Sequence, residues 1–381
     1  MPDALNVDDI ILNFDPAAPH SRFRAAGLDA ALAPAGAALP QAVPWPAGTA
    51  PTPAPLVPAP VETDDLSRFN GYDAVVVTWT SAEASAMATL FTPGHPIATW
   101  YEYRHDVAAY IPLVTGATAP FNDNQAEMAR YYHSLGLYFP CTIGNARVLL
   151  IKSGLHLDYD GPAVPVRQLM AEIAGAVAPR LFITTGTGGG IGADVCLGDV
   201  VIAGTVRFDC RTQFAGEPWA QAACQPPALP AGALAAITPA LTGVNAARIP
   251  NARPAPQIFS AATDAIVTTD FFAFDDSTDH YGLQGLGRVC DMGDAMVANA
   301  LQAFPSIAWH AIRNASDPQI ANPTGNMTTA SEQAAQIYAR YGGLTTAASL
   351  IATWAVIHAA TNPATSHYKL GRLPRTDAPP A

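Results

Sequence analysis

The segment Leu181-Phe-Ile-Thr-Thr-Gly-Thr-Gly-Gly-Gly-Ile-Gly192 decides the fold. Its short apolar run ends in a cluster of glycines, and a second apolar run, Cys196-Leu-Gly-Asp-Val-Val-Ile202, follows. Because glycine has no Cβ, backbone N–H groups at such positions can approach an oxygen-rich or anionic ligand closely. In a dinucleotide-binding fingerprint a helix follows the glycines, whereas β-branched residues follow them here. The pattern therefore predicts strand–loop–strand, with the glycines in the loop.

Composition narrows the class of protein and its partners. Half of the 381 residues are apolar, which is enough for a sizeable core. The net charge is −12 and there are only two lysines, so nucleic acid is not an expected partner. The five cysteines are scattered, which argues against a disulfide framework or a structural zinc site.

The sequence also predicts where the protein is located. Residues 1–20 lack the basic start and apolar core of a secretory signal. The longest apolar stretch, residues 344–360, is interrupted by several polar residues and predicts a buried helix rather than a membrane span. We expect a cytoplasmic protein with no membrane partner.

The chain divides into three parts. Residues 1–70 form an arm rich in proline and alanine, which predicts extended or irregular structure. Residues 71–365 form one α/β domain, and residues 366–381 form a tail. Strands that alternate with helices predict a three-layer α/β/α sandwich around a twisted, mixed and partly parallel sheet. The strands are expected at 73–78, 146–151, two in 181–202, 257–268 and 307–313, and the helices at 80–90, 124–137, 165–177, 291–304, 328–341 and 345–360.

A candidate acid follows the last predicted strand. Ligands of open α/β sheets bind beyond the carboxyl ends of strands, and Asp317 lies there. A carboxylic acid in that place can protonate a leaving group. The alternative is that Ser316-Asp317-Pro318 forms a turn in which Asp317 caps a backbone N–H group.

Several segments in order carry a family resemblance. They are the strand and helix of 73–90, the glycine segment 184–190 with 197–202, Ala262-Thr-Asp264, Val289-Cys-Asp-Met-Gly-Asp-Ala295 and Ala311-Ile-Arg-Asn-Ala-Ser-Asp317. Over residues 72–360 this set resembles the nucleoside phosphorylase and nucleosidase superfamily, which includes purine nucleoside phosphorylases and methylthioadenosine/adenosylhomocysteine nucleosidases. The resemblance implies cleavage of an N-glycosidic bond.

The resemblance also implies roles for individual residues. Asp317 matches the catalytic acid that hydrogen-bonds the purine N7, where an acid lowers the barrier because negative charge develops on the departing base. Thr187, Gly188 and Gly189 match the loop beneath ribose and base, and Met292 matches a methionine that packs on both. Arg313 and Ser316 follow the family pattern and are expected at the substrate; Arg313 serves an anion or pairs with a nearby carboxylate.

The sequence departs from the family pattern at the sugar and at the base. Gly293 stands where the family has a glutamate that holds the ribose hydroxyls, so Asp294, or Asp291 on its other side, is expected to reach the sugar instead. The resemblance places Ile266 where an aromatic residue stacks on the base. A stacking ring then has to come from Trp79, Phe271 or Phe272.

A further departure concerns the attacking group. Thr184 stands where bacterial phosphorylases have a phosphate-binding arginine, which favours hydrolysis over phosphorolysis. Hydrolases of the superfamily carry a glutamate near residue 83, and Glu83 is the candidate general base toward water. The alternative is that Glu83 is a carboxylate of the first helical turn facing the helix dipole.

The sequence therefore predicts an enzyme that cleaves the N-glycosidic bond of a small nucleoside-like compound, with hydrolysis favoured and phosphate as a possible co-substrate. No metal or organic cofactor is implied. The family resemblance implies a homo-oligomer. The alternative is a non-catalytic nucleoside-binding or scaffold protein on the same fold, which Gly293 and Ile266 motivate.

Overall fold

The computed structural model describes residues 43–114, 134–155, 157, 163–241 and 253–361. One mixed sheet of thirteen strands forms its centre, and its main path runs β1-β4-β5-β2-β6-β12-β11-β8-β9. The strands are β1 (Pro51–Pro53), β2 (Ala74–Thr78), β3 (Tyr101–Tyr103), β4 (Gly136–Ile143), β5 (Ala146–Ser153), β6 (Leu181–Gly190), β7 (Val200–Ile202), β8 (Thr205–Asp209), β9 (Ala223–Cys224), β10 (Ile258–Phe259), β11 (Ala265–Thr269), β12 (Val289–Asp291) and β13 (Ala308–Asp317).

Helices cover both faces of the sheet, which confirms the predicted three-layer α/β/α sandwich. They are α1 (Ser81–Phe91), α2 (Val107–Val114), α3 (Pro165–Val177), α4 (Ala233–Leu241), α5 (Asp294–Leu301) and α6 (Met327–Thr361). Strand β2 shows why its sequence is a continuous apolar run. Val75 and Val77 pack with the residues of α3 and α5, whereas Ala74 and Val76 pack with those of α1 and α6.

The glycine cluster lies inside a strand, so the predicted loop at this position is wrong. Residues 181–190 form β6, which runs parallel to β2 and β13 and meets β12 antiparallel at Gly189 and Gly190. A Cβ on Gly188 would lie 2.8 Å from the carbonyl oxygen of Cys290. One on Gly190 would lie 2.9 Å from the carbonyl oxygen of Asp317. The glycines therefore allow three strands to approach one another closely.

Other element boundaries also differ from the predictions. Residues 134–137 of the predicted helix 124–137 lead into and begin β4, while 124–133 lie outside the described residues. Strand β13 continues to Asp317, four residues beyond its predicted end. The two predicted C-terminal helices are one helix of 35 residues.

Helix α6 is long and apolar enough to cross a membrane by composition, but 83% of its apolar window is buried inside the protein. Trp354 is fully buried, and its indole N–H donates to the carbonyl oxygen of Thr49 at 2.8 Å. The helix packs on β6 and β13. It is a core helix of the domain, as the interrupted apolar stretch predicts.

The described part of the predicted arm packs on the domain. Strand β1 pairs with β4, the rings of Trp45 and Trp354 are 5.1 Å apart, and Leu66 and Phe69 are buried in the core. Residues 1–42 of the arm and the predicted tail 366–381 lie outside the described residues.

Candidate active site

A cavity of about 70 Å³ lies where the carboxyl ends of several strands meet. By volume it holds roughly five water molecules. It is partly open to solvent. Strands β6, β11, β12 and β13, helices α1 and α6 and the segments that follow β2, β11 and β12 supply its wall. The lining residues are Trp79, Thr80, Glu83, Thr187, Gly188, Gly189, Thr269, Ala273, Cys290, Asp291, Met292, Arg313, Ser316 and Tyr338.

The candidate acid lies beside the glycine strand. Asp317 is the last residue of β13 and is the register partner of Gly189. A Cβ on Gly189 would lie 3.2 Å from Oδ2 of Asp317, so this carboxylate occupies the space that the glycine leaves. The Ser316 hydroxyl donates to Oδ1 of Asp317 at 2.9 Å. Since Gly189 and Ser316 both line the cavity, the two segments that the sequence singles out converge at one place.

Burial raises the pKa of Asp317 to about 6, and the hydrogen bond from Ser316 acts in the opposite direction. The cause is the loss of water around the charged form. A carboxyl group with such a pKa can hold a proton close to neutral pH and release it, as a general acid requires.

Arg313 binds carboxylates at the floor of the cavity. Its Nε and one terminal nitrogen donate to the two oxygens of Asp294 at 2.8 and 2.5 Å. The same terminal nitrogen reaches Asp291 at 3.1 Å, and the other lies 3.5 Å from Glu83. Burial lowers the pKa of Arg313, but the charges of Asp294 and Asp291 outweigh it and raise the pKa above its ordinary value.

This network holds Asp294. Its side chain is buried against Arg313 and is not among the residues that line the cavity, and its contact with a sugar hydroxyl stays a prediction. Helix α5 begins at Asp294 and turns this carboxylate inward. Of the two possibilities for Arg313, the pairing with carboxylates is the one that the structure contains.

Glu83 has the hydrogen bonds of a helix cap. It accepts from the backbone N–H groups of Trp79 and Thr80, both at 3.0 Å, and from the Thr78 hydroxyl at 2.6 Å. Its other oxygen accepts from the N–H and the hydroxyl of Thr187 at 2.6 and 2.7 Å. Together with Thr80 it forms a capping box at the start of α1. The carboxylate thereby ties α1 to the glycine strand.

Asp291, the last residue of β12, accepts hydrogen bonds from backbone N–H groups at the start of α5. Its Oδ2 accepts from the N–H groups of Gly293 and Asp294 at 2.9 and 2.8 Å, and its Oδ1 accepts from the Thr268 hydroxyl at 2.6 Å. Burial, and then the charge of Asp294, raise the pKa of Asp291 above its usual range. Both carboxylates of the cavity wall therefore hold elements of the fold together.

Trp79 occupies the space beside Gly293. A Cβ on Gly293 would lie 2.8 Å from Cζ2 of Trp79, so a side chain at position 293 has no room while the ring is there. The guanidinium of Arg313 lies 4.9 Å from the centre of the same ring. This cation–π contact fixes the indole at the cavity wall.

The structure corrects the expected position of the base-stacking element. Ile266 is buried inside β11 and does not line the cavity. The cavity is instead reached by the residues at the carboxyl end of β11, Thr269 and Ala273, and the segment between them contains Phe271 and Phe272. The correspondence drawn from the sequence lies at the wrong end of the strand.

The sequence does not predict two further lining residues, Tyr338 and Cys290. Tyr338 comes from α6, and its hydroxyl donates to the Thr80 hydroxyl at 2.9 Å across 258 residues of sequence. No local pattern marks it. Cys290 is buried, and burial raises the pKa of its thiol well above the ordinary value. The available signal in the sequence is that Cys290 lies two residues before Met292.

The family described as the phosphorylase superfamily matches residues 104–341. This range contains the cavity residues from Thr187 to Tyr338 and leaves out those at 79–83. No curated protein sequence matches the chain.

Solved structures with a similar fold include two bacterial hydrolases. A mutant futalosine hydrolase of Helicobacter pylori has 10% identity and a TM-score of 0.47, and the match covers 75% of this chain and 98% of that one. A 5'-methylthioadenosine/S-adenosylhomocysteine nucleosidase of Neisseria meningitidis, in complex with methylthio-immucillin-A, has 15% identity and a TM-score of 0.43. That match covers 73% of this chain and 98% of the nucleosidase.

Proposed function

Because the chain belongs to the phosphorylase superfamily, we propose that it cleaves the N-glycosidic bond of a small nucleoside-like compound by hydrolysis. The observation that carries the proposal is the carboxyl group of Asp317, which lies against Gly189 with a pKa raised to about 6. A purine base, a homo-oligomeric assembly and a cytoplasmic location, all expected from the sequence, belong to the same proposal.

In this proposal Asp317 protonates the departing base. As the bond between sugar and base breaks, the base gains negative charge and the sugar gains positive charge. A protonated carboxyl group beside the base neutralises the first of these charges. Ser316 holds Asp317 in place, and Gly188, Gly189 and Met292 form the surface on which substrate lies.

The charges at the cavity favour water over phosphate as the attacking group. Arg313 is the cation that lines the cavity in the described part of the chain, and it already faces Asp294, Asp291 and Glu83. A phosphate dianion would have to approach these carboxylates, which repel it. Thr184 does not line the cavity and supplies no cation.

Glu83 is proposed as a positioning residue rather than as the general base. A base needs a lone pair directed at water, whereas the oxygens of Glu83 accept five hydrogen bonds from residues 78, 79, 80 and 187. A sugar cation formed late in bond cleavage reacts with neutral water, so a strong base is not required. In this arrangement Glu83 keeps Thr187 and the glycine strand in register with α1.

The test is an assay for free base with purine and pyrimidine nucleosides, in phosphate-free buffer and with added phosphate. Hydrolysis predicts release without phosphate at a rate that phosphate does not increase. Release that depends on phosphate contradicts the hydrolase and indicates a phosphorylase. Binding of nucleosides without any release indicates the non-catalytic alternative.

A further inference from the structure

A second and larger cavity lies next to that of the acid. Its volume is about 530 Å³, it is open to solvent, and its wall is mostly polar. Strand β6 passes from Gly189, which lines the first cavity, into Ile191, which lines the second. The segment after β13 passes in the same way from Ser316 to Gln319. A short stretch of each element therefore separates the acid from the solvent in the second cavity.

The apolar part of this wall is one small cluster. Ile191, Ala273 and Cys290 pack together, and the thiol of Cys290 donates to the carbonyl oxygen of Ala273 at 3.3 Å. Ala273 and Cys290 face the first cavity, whereas Ile191 faces the second. A Cβ on Gly189 would lie 3.0 Å from the sulfur of Cys290 and 3.2 Å from Oδ2 of Asp317. The thiol therefore lies beside the acid.

The polar part of the wall is held by Asp275, whose side chain is buried. Its Oδ2 accepts from the N–H of Gly192 and the side-chain amide of Gln319, both at 2.8 Å. Its Oδ1 accepts from the side-chain amide of Gln284 at 3.1 Å, and its carbonyl oxygen accepts from the N–H of Ile320 at 2.9 Å. Gly192, Gln284 and Gln319 all line the second cavity. One carboxylate thus joins the end of the glycine strand to the segment that follows the acid.

The wall matters for the chemistry of Asp317. Burial raises the pKa of this carboxyl group to about 6, because water is excluded from its charged form. Water that entered from the second cavity would solvate the carboxylate and let it lose its proton at a lower pH. The state of the acid therefore depends on whether the wall is closed.

Other titratable groups lie near the acid. Burial, and then the charges of Asp317, Asp291 and Asp275, raise the pKa of the Cys290 thiol. Among the described residues, the other titratable groups that line the first cavity are Glu83, Asp291, Arg313 and Tyr338. Because Asp275 contributes a charge as well as hydrogen bonds, a test has to separate the two effects.

We infer that Asp275 is a positioning residue for the proposed reaction, which closes the wall between the two cavities and keeps water away from Asp317. The inference rests on the proposed function. Loss of the Asp275 side chain leaves three buried or half-buried donors without their acceptor, and water from the second cavity then takes its place. The substrate surface of the first cavity is not altered directly.

Alkylation of Cys290 by iodoacetamide, followed by mass spectrometry of its peptide, measures closure without catalysis. Asp275→Ala should react roughly tenfold faster at Cys290 than the wild type, whereas the buried Cys141 and Cys210 keep their rates. Asp275→Asn removes the same charge and keeps the volume, and only the amide of Gln284 has to turn over. It should react at Cys290 at least about threefold more slowly than the alanine variant. Equal rates in the two variants, or equal acceleration at all three cysteines, overturn the inference.

The pH dependence of kcat/KM gives a second readout. In Asp275→Ala the pH above which kcat/KM falls should move down from about 6 by about one unit. Activity then falls about tenfold at pH 8 and less than about threefold at pH 5. Asp275→Asn should move this pH by less than half as much. A loss of equal size at both pH values indicates a merely structural role and overturns the inference.

Asp276→Ala is the matched control. Asp276 is a buried neighbour whose carboxylate accepts from the N–H of His280 and the amide of Asn322, and neither of these partners lines a cavity described above. The variant should keep the wild-type rate of alkylation at Cys290, even where its thermal stability is lower. Acceleration equal to that of Asp275→Ala overturns the inference.

Two failures remain distinguishable. If no nucleoside releases base, the proposed function is contradicted, and the alkylation of Cys290 still decides whether Asp275 closes the wall. If Asp275→Ala does not fold, Gln319→Ala removes one partner of Asp275 from the half-buried side of the wall. It should speed the alkylation of Cys290 at least about threefold. An unchanged rate overturns the inference.

Discussion

Two buried titratable residues of the same strand, His310 and Asp317, have opposite surroundings. Both lie on β13, and burial shifts both pKa values: that of His310 falls to about 4 and that of Asp317 rises to about 6. The directions differ because burial disfavours the charged form, which is the protonated imidazole in one case and the ionised carboxylate in the other.

The two residues differ in access. His310 lies on the same face of β13 as Ile312, toward the helical layer that contains α6, and within the described residues neither ring nitrogen has a hydrogen-bond partner. Asp317 lies at the end of the strand beside a cavity, and Ser316 donates to it. The same physical effect therefore produces a cost in stability at one end of β13 and a candidate acid at the other.

The largest expected effect is that of Asp317→Asn on activity. Loss of a general acid lowers the rate by roughly 10²–10⁴-fold. The folded protein should be as stable as the wild type or more stable at pH 7, because a carboxyl whose pKa burial raises costs stability as pH rises from about 4 to 6. Base release and thermal unfolding measure the two effects.

Asp264→Asn is the matched control, because Asp264 is a buried aspartate that pairs with Arg288 and lines a different cavity. It should keep activity within a few-fold of the wild type. Equal losses in the two variants would contradict the assignment of the acid.

Arg313→Met tests whether the site carboxylates need their counter-charge. The substitution leaves Glu83, Asp291 and Asp294 buried without the guanidinium, and we expect a loss of about 3–5 kcal/mol in the free energy of unfolding. Denaturant titration gives this value. Arg288→Met, which removes a partly exposed arginine from Asp194 and Asp264, should cost no more than about 1 kcal/mol.

His310→Leu tests whether burial lowers the pKa of His310. The folded pKa of about 4 lies below the ordinary value of 6.5, so the wild type loses stability as pH falls through that interval and is unaffected above it. Between pH 7 and 4.5 this loss amounts to about 2–3 kcal/mol. The variant should lack this part of the pH dependence. Identical pH dependence of the unfolding free energy in both proteins would show that His310 is solvated.

Much of the fold could be predicted because burial leaves a local pattern. The run at β2 is apolar at every position because helices cover both faces, and α3 has one apolar face. The loop predicted at the glycines of β6 is wrong because a cluster of glycines has the same pattern in a loop as in a strand that others approach closely. Only the neighbouring strands β12 and β13, distant in sequence, distinguish the two cases.

The site could be predicted in part. Asp317 follows from its place after a buried strand, and Gly189 follows from the glycine cluster. The network of Arg313 could not be predicted, because its partners come from α1, β12 and α5 and no spacing relates them. The match of short motifs to the family predicts Ile266 at the site. The rule that ligands bind beyond the carboxyl ends of strands, when applied to β11, indicates Thr269 instead.

The pH dependence of kcat/KM tests most directly whether Asp317 delivers a proton to the departing base. The assay measures release of base from a cleaved nucleoside in phosphate-free buffer between pH 5 and 9. With a pKa of about 6, we expect kcat/KM to be constant below that value and to fall about tenfold per pH unit above it. A rate that stays constant or increases from pH 6 to 9 would contradict the assignment.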